Sequence, residues 1–128
     1  MTIVADANVA IAVLNPSHMF HRAALGRCLS EEDVAILNLT RAEALIHPTR
    51  LGQFTAADRE LTAVGFRTVT LSDTVADKSR ELRATHGNKN FPLIDAIVVA
   101  LGIEEGWPIL TCDGKWPTIE EADIDVLT

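Results

Sequence analysis

Short apolar runs alternate with amphipathic segments along this chain. Runs of β-branched and aliphatic residues predict buried strands, and apolar positions three and four residues apart predict helices. The strands predicted in this way are Thr2–Ala5, Val34–Leu39, Phe66–Leu71, Pro108–Thr111 and a short edge strand, Ile124–Leu127. Helices are predicted at 9–14, 19–29, from Thr40 to about Ile46, 55–64, 73–85 and 91–105. Because strands alternate with helices, the expected fold is α/β, with a central parallel sheet of four to five strands flanked by helices.

Breaker and capping residues locate several helix ends. Asn15-Pro16 is expected to end the first helix, and Gly65 the helix at 55–64. Ser72 is the expected N-cap of the helix that follows it. Thr40 is the expected N-cap after the second strand, where it would form a capping box with Glu43.

The segment 91–105 predicts a helix that is buried on most sides, because its apolar residues do not keep to one face. Pro92 suits the first turn of such a helix. Asp95 is the only charged residue between Phe91 and Gly102. A charge rarely occupies a core position unless it is paired or bound to a cation, so Asp95 is predicted to be functional.

Length and composition indicate one globular domain, residues 1–128, with 48% hydrophobic and 23% charged residues. No apolar run reaches the roughly 18 residues needed to cross a bilayer, and the N-terminus lacks the basic start of a signal peptide. A soluble cytoplasmic protein with no membrane partner is therefore expected. Cys28 and Cys112 form no CxxC motif, so neither a zinc site nor a disulfide framework is predicted, and Cys112 has no assigned role.

Four acidic residues are predicted to meet at one edge of the sheet. Asp6 follows the first strand, and Asp113 lies two residues beyond the fourth. Glu43 lies near the start of the helix after the second strand, and Asp95 near the start of the helix that leads into the fourth. In an open parallel sheet the carboxyl ends of the strands form the ligand-binding edge, and all four acids belong to it.

Each acid also has an ordinary structural interpretation. Asp6 can cap a helix, Glu43 can complete the capping box, Asp95 can interact with a helix dipole, and Asp113-Gly114 is a common turn pair. A shared site explains all four at once. Carboxylates crowded together repel one another, and a divalent cation removes that conflict. Oxygen ligands without paired Cys or His favour Mg²⁺ or Mn²⁺, which can activate water for attack on a phosphodiester.

Net charge weakly opposes a nucleic-acid partner. With eleven basic and eighteen acidic residues the chain carries a net charge of −7, and polyanions are repelled by such a surface. A bound cation would draw a phosphate into the acidic pocket in spite of that charge.

The chain resembles the PIN-domain ribonucleases, and among them the VapC-type toxins of bacterial toxin–antitoxin pairs. Four ordered blocks carry the resemblance over nearly the whole length: Val4-Ala5-Asp6-Ala7-Asn8, Thr40-Arg41-Ala42-Glu43, Pro92-Leu93-Ile94-Asp95-Ala96-Ile97 and Ile109-Leu110-Thr111-Cys112-Asp113. The resemblance implies a PIN-like fold in which Asp6, Glu43, Asp95 and Asp113 form the catalytic, metal-binding set. It also implies supporting roles for Asn8 and Thr111, which would orient an acid or the attacking water.

The same resemblance implies the substrate and partners. Members of the family cut RNA internally, often at a structured site in tRNA or rRNA. VapC-type members form homodimers and are silenced by a small cognate antitoxin, which itself binds DNA, so no direct DNA binding by this chain is expected. An apolar groove beside the helices at 9–14 and 19–29 would suit an antitoxin helix.

Several residues near the predicted edge are open to two interpretations. Arg41 and Lys89 are possible contacts for substrate phosphates, although solvated surface charge is the commoner role. His18 and His21 could face one way, but a zinc site needs more ligands than this pair. Trp116 stands where the family often has an aromatic residue such as phenylalanine, a difference expected to have no functional effect.

Three other function classes remain as alternatives. A phospho-receiver also gathers acids and Mg²⁺ at a sheet edge, but it needs an acidic pair after the first strand, where this chain has Asp6-Ala7-Asn8. A haloacid-dehalogenase phosphatase needs a second acid in place of Asn8. A catalytically inactive PIN-type binding module is the third alternative, although such proteins typically lose some of the four acids.

Overall fold

The computed structural model describes residues 1–128 and contains five strands and six helices. The strands are β1 (Thr2–Ala5), β2 (Asp33–Leu37), β3 (Phe66–Val69), β4 (Ile109–Thr111) and β5 (Ile124–Val126). The helices are α1 (Ala7–Leu14), α2 (His21–Ser30), α3 (Asn38–Arg50), α4 (Phe54–Val64), α5 (Asp73–His86) and α6 (Leu93–Glu105). No helix has both the length and the apolar composition needed to cross a membrane.

All five strands form one parallel sheet in the order β3-β2-β1-β4-β5. Val4 in the central strand β1 pairs with Ala35 of β2 on one side and with Ile109 of β4 on the other. The carboxyl ends of β1, β2 and β4 therefore lie side by side at one edge. The predicted α/β fold with a parallel sheet is confirmed.

Alternate residues of the strands face two separate apolar cores. Ile3 and Ala5 pack with α1, α2 and α4, whereas Val4 between them packs with α5 and α6. A parallel strand buried on both faces needs apolar residues at every position, which explains the continuous apolar runs in the sequence. Helices cover both faces of the sheet.

Helix α6 is the most deeply buried helix, as its composition predicts. Every residue from Ala96 to Gly102 is buried. Gly102 allows the helix to approach β4, because a Cβ at that position would lie 2.4 Å from a side-chain carbon of Ile109. This close packing holds the second half of α6 against β4.

The predicted ends of α1 and α4 are confirmed, and so is the N-cap of α5. Helix α1 ends at Leu14, and α4 ends before Gly65, which adopts a left-handed conformation with φ of 109°. The hydroxyl of Ser72 accepts a hydrogen bond of 3.2 Å from the backbone N–H of Val75.

The prediction that Thr40 caps the third helix is wrong. Strand β2 ends at Leu37, two residues earlier than predicted, and α3 begins at once with Asn38. Leu37 is the N-cap and offers no side-chain bond, whereas Thr40 lies inside the helix and its hydroxyl donates to the Leu37 carbonyl at 3.1 Å. Glu43 is therefore not part of a capping box headed by Thr40. Its side chain is exposed at the sheet edge.

Other element ends differ by a few residues. Helix α3 continues past the predicted end, through Pro48, as far as Arg50. Helix α1 begins two residues earlier than predicted, directly after Asp6, and α2 begins two residues later, at His21. Helix α6 begins at Leu93, with Pro92 as its N-cap rather than in its first turn.

Candidate active site

Asp6 lies where β1 passes directly into α1, and it caps that helix. Its Oδ1 accepts a hydrogen bond of 2.8 Å from the backbone N–H of Ala7, as an N-cap does. The residue is only 4% exposed. A carboxylate with almost no access to solvent needs compensation, and no Lys or Arg side chain forms an ion pair with it.

Thr111, the last residue of β4, joins the acids of two strand ends. Its buried hydroxyl donates to Oδ2 of Asp6 at 3.1 Å. The hydroxyl oxygen of Thr111 also accepts two hydrogen bonds, from the Asn8 amide at 3.2 Å and from the backbone N–H of Asp113 at 3.1 Å. Asn8 in turn accepts a bond of 3.0 Å from the backbone N–H of Cys112. This network fixes the loop after β4 against the start of α1.

Asp95 lies in the first turn of α6, on the other side of the same edge. Its half-buried carboxylate accepts a hydrogen bond of 3.1 Å at Oδ2 from Nε1 of Trp116. Burial raises the pKa of Asp95, the bond from Trp116 lowers it, and the charges of Asp113 and Glu43 raise it further. These influences show that the acids from α3, α6 and the loop after β4 lie within electrostatic range of one another.

The pKa of Asp6 departs furthest among these carboxyl groups and is raised to about 7. Burial is the largest cause, followed by the charge of Asp95, and Glu43 adds a smaller effect. The hydrogen bonds from Ala7 and Thr111 offset only part of the increase. At neutral pH the ionised form of Asp6 is therefore costly without a nearby positive charge.

The acidic rim, defined as Asp6, Glu43, Asp95 and Asp113, has the donor chemistry of a magnesium or manganese site. Its ligands are all carboxylate oxygens, and the buried Asp6 lacks a cationic partner. No three His, Cys, Asp or Glu side chains are close enough together to form a ready-made metal cluster. Glu43 is the one exposed member of the rim. The residues present fit such a cation.

The two histidines considered as a zinc pair have separate partners. Nδ1 of His18 accepts from the backbone N–H of Phe20 at 3.1 Å. Nδ1 of His21 lies 2.8 Å from the carbonyl oxygen of Ala12. Each Nδ1 therefore has a local backbone partner, and the two rings are not brought together as a pair of ligands.

The basic residues near the rim differ in availability. Arg41, in the first turns of α3, forms an ion pair with Asp58 of α4. Lys89 is exposed in the loop before α6. Lys115 is also exposed, and its backbone N–H donates to Oδ1 of Asp113 at 2.8 Å, which shapes the turn after β4.

Cys112 packs partly into the core between two residues of the site. Burial, together with the charge of Asp6, raises the pKa of its thiol to about 11. The group is therefore a neutral thiol at physiological pH and a poor candidate for a nucleophile.

A groove of 630 Å³ runs beside Glu43 between α1 and α3. Apolar side chains of Ile11, Leu14, Ile46 and Leu51 line it. The sequence predicted a groove beside the first two helices, α1 and α2. The groove observed here is instead formed by α1 and α3.

From the sequence, Trp116 is expected to be equivalent to a phenylalanine, and its contact with Asp95 is not predicted. Its hydrogen bond to Asp95 spans 21 residues and depends on how the loop after β4 folds back over α6. The available signal was a single tryptophan three residues after Asp113, which does not by itself indicate a bond.

A parallel α/β sheet with acids gathered at its carboxyl edge defines a class of fold and site, and the comparisons with known proteins agree with it. Residues 3–122 match the family model of the PIN domain. The chain therefore belongs to the PIN domain family, as the resemblance predicted. No match was found among curated protein sequences.

Three solved structures share the fold. A toxin–antitoxin complex from Klebsiella pneumoniae is 22% identical, with 94% of each chain covered and a TM-score of 0.76. VapBC2 from Rickettsia felis, bound to a DNA fragment from its promoter, is 15% identical, with both chains fully covered and a TM-score of 0.77. VapC20 of Mycobacterium tuberculosis, described as a sarcin–ricin loop cleaving toxin, is 18% identical, with 88% of this chain and 91% of that chain covered and a TM-score of 0.71.

Proposed function

We propose that this chain is a divalent-metal-dependent endoribonuclease and the toxin of a toxin–antitoxin pair. The observation that carries the proposal is the buried carboxyl group of Asp6, whose pKa is raised to about 7 beside Asp95 and Glu43. A buried acid surrounded by other acids, and paired with no basic side chain, favours a divalent counter-ion. Membership of the PIN domain family supports the same assignment.

The four acids of the rim would hold Mg²⁺ or Mn²⁺, which when bound supplies a Lewis acid for the phosphodiester and lowers the pKa of a water molecule. The residues of the chain do the positioning. The hydroxyl of Thr111 donates a hydrogen bond to Oδ2 of Asp6 and accepts one from the backbone N–H of Asp113. One buried group therefore aligns acids from two strand ends. Asn8 keeps this arrangement rigid through its bonds to Thr111 and Cys112.

Structured RNA, such as tRNA or rRNA, is the proposed substrate class. VapC20 shares the fold, and its description as a toxin that cleaves the sarcin–ricin loop supports RNA over other phosphodiesters. Since the chain carries a net charge of −7, the cation would supply most of the attraction for phosphate. Lys89 is the freer of the two candidate phosphate contacts, because Arg41 already pairs with Asp58.

A cognate antitoxin and a second copy of the chain are the proposed partners. The apolar groove beside Glu43 would suit a segment of the antitoxin, which would then lie next to the acidic rim. The solved Klebsiella complex and VapBC2 contain toxins of this fold with antitoxins. The promoter DNA in the latter is consistent with DNA recognition by the antitoxin, and no direct DNA binding is proposed for this chain.

Cleavage of a total tRNA and rRNA pool tests the proposal. The purified chain should yield discrete fragments with Mg²⁺ or Mn²⁺, and none in excess EDTA. Asp95→Asn protein, purified in parallel, controls for contaminating nucleases and should yield none. Fragments that persist in EDTA would refute metal dependence. RNA that is bound but left intact by the metal-loaded wild type would instead support the inactive binding module.

A further inference from the structure

Trp116 connects the loop that carries Asp113 to Asp95, a rim residue on a different element. It follows Asp113 by three residues in the loop after β4, and its indole N–H donates to Oδ2 of Asp95 on α6 at 3.1 Å. This bond ties the loop that follows Asp113 to the first turn of α6. Of phenylalanine, tyrosine and tryptophan, only tryptophan has a ring N–H. A phenylalanine at this position would therefore fill similar space without forming the bond.

A second aromatic side chain supports the indole ring of Trp116. It packs against Phe91 in an edge-to-face arrangement, with ring centroids 5.9 Å apart and an interplanar angle of 67°. Phe91 is completely buried just before α6, so it provides a fixed support. Aromatic pairs of this geometry are more favourable than their contact area alone explains. This contact favours the orientation in which the indole N–H points to Asp95.

We propose that Trp116 is a positioning residue of the acidic rim, which orients the carboxylate of Asp95 for the divalent cation. The inference rests on the proposed function, because it assumes that the rim binds a cation. Hydrogen bonds to metal-binding groups fix their orientation, and removing such a partner commonly weakens metal affinity by about 10- to 100-fold. The bond also ties the loop that carries Asp113 to the helix that carries Asp95.

A purely structural role for Trp116 makes different predictions. If the ring serves only to cover Phe91, then Trp116→Phe should be harmless and Trp116→Ala should destabilise the protein. If the indole N–H positions Asp95, Trp116→Phe should keep the fold and still lose affinity for the cation. Trp107 offers a matched control, since it lies before β4 with its ring near Arg67 instead of at the rim.

The test is a Mn²⁺ titration of wild type, Trp116→Phe and Trp107→Phe. Binding is measured by calorimetry and by the shift in melting temperature. Trp116→Phe is expected to bind Mn²⁺ about 10-fold more weakly or worse, with a metal-free melting temperature near that of wild type. Trp107→Phe is expected to bind like wild type. In Trp107→Phe, Trp116 is the only tryptophan, so Mn²⁺ should quench its fluorescence, and adding Asp95→Asn should abolish the quenching.

The outcomes separate this inference from the proposed function. If wild type binds Mn²⁺ and cleaves RNA, but Trp116→Phe binds Mn²⁺ equally tightly, the positioning role is overturned and the nuclease stands. If wild type neither binds Mn²⁺ nor cleaves RNA, the proposed function fails and the positioning role fails with it. Weaker binding by Trp116→Phe, with its fold and its control intact, establishes the role.

Discussion

Asp6→Asn should have opposite effects on stability at low and high pH in the metal-free protein. Burial and the charge of Asp95 raise the pKa of Asp6 from 3.8 to about 7. A carboxyl group whose pKa is higher in the folded state binds its proton more tightly there. Its contribution to stability is therefore fully present below about pH 3.8 and is lost as the pH rises through about 7.

The size of the effect follows from the two pKa values. They differ by about 3 pKa units, and each unit corresponds to about 1.4 kcal/mol, so wild type loses up to ~4 kcal/mol of unfolding free energy between pH 4 and pH 8. Asparagine cannot ionise, and it can still accept the capping bond from Ala7. It loses the acceptor for the Thr111 hydroxyl, which costs about 1 kcal/mol at any pH. We expect Asp6→Asn to be slightly less stable near pH 4 and about 3 kcal/mol more stable at pH 8.

Urea unfolding in EDTA, followed by circular dichroism at several values of pH, measures this difference. Asp77→Asn removes one negative charge from an exposed position on α5 and serves as the control. A difference between Asp6→Asn and wild type that stays constant from pH 4 to pH 8 would show that Asp6 is not the buried, strained acid described here.

Two further substitutions test the scaffold of the site. Thr111→Val should destabilise the protein by about 1–3 kcal/mol and slow cleavage, because it leaves Oδ2 of Asp6 without its donor. Thr111→Ser keeps the hydroxyl and should retain most of the stability and most of the activity. Urea unfolding and RNA cleavage measure the two effects. Gly102→Ala should lower stability by about 1–3 kcal/mol, since the new Cβ would meet the side chain of Ile109 at 2.4 Å. Gly26→Ala in α2 should raise stability, because no atom lies within 4 Å of a Cβ at that position and alanine favours the helix. Thermal melts compare the two variants.

Much of the fold could be predicted from the sequence because its strands are buried on both faces. The continuous apolar run that contains Ile3, Val4 and Ala5 serves two cores at once, and its shortness and β-branched residues favour a strand over a buried helix. The order of strands in the sheet is not a local property. Strand β4 pairs with β1 although about a hundred residues separate them, and no local pattern in either segment specifies that pairing.

Helix boundaries show where local rules were overridden. Thr40 has the residue type of an N-cap, yet α3 begins two residues earlier because the chain turns from β2 into the helix without a side-chain cap. Pro48 was expected to lie beyond the helix, but α3 accommodates it in its last turn. Tertiary packing outweighs local preferences worth about 1 kcal/mol for an N-cap and up to about 3 kcal/mol for a proline inside a helix.

The candidate site was predictable where it depends on strand ends and not where it depends on loops. Asp6 and Thr111 lie at the carboxyl ends of two parallel strands, so the sequence places both at the same edge of the sheet, and the pairing of β1 with β4 brings them into contact. The bond from Trp116 to Asp95 requires the loop after β4 to fold over α6, and no local pattern encodes that contact.

The most direct test of the acidic rim as a metal-dependent nuclease site is the rate of RNA cleavage as a function of Mn²⁺ concentration. Wild type, Asp95→Asn and the exposed control Asp77→Asn would be compared on one RNA under single-turnover conditions. We expect wild type and Asp77→Asn to cleave at similar rates that saturate with Mn²⁺, and Asp95→Asn to be slower by about 100-fold or more. Cleavage by Asp95→Asn at a rate close to wild type, or wild-type cleavage unaffected by EDTA, would contradict the account.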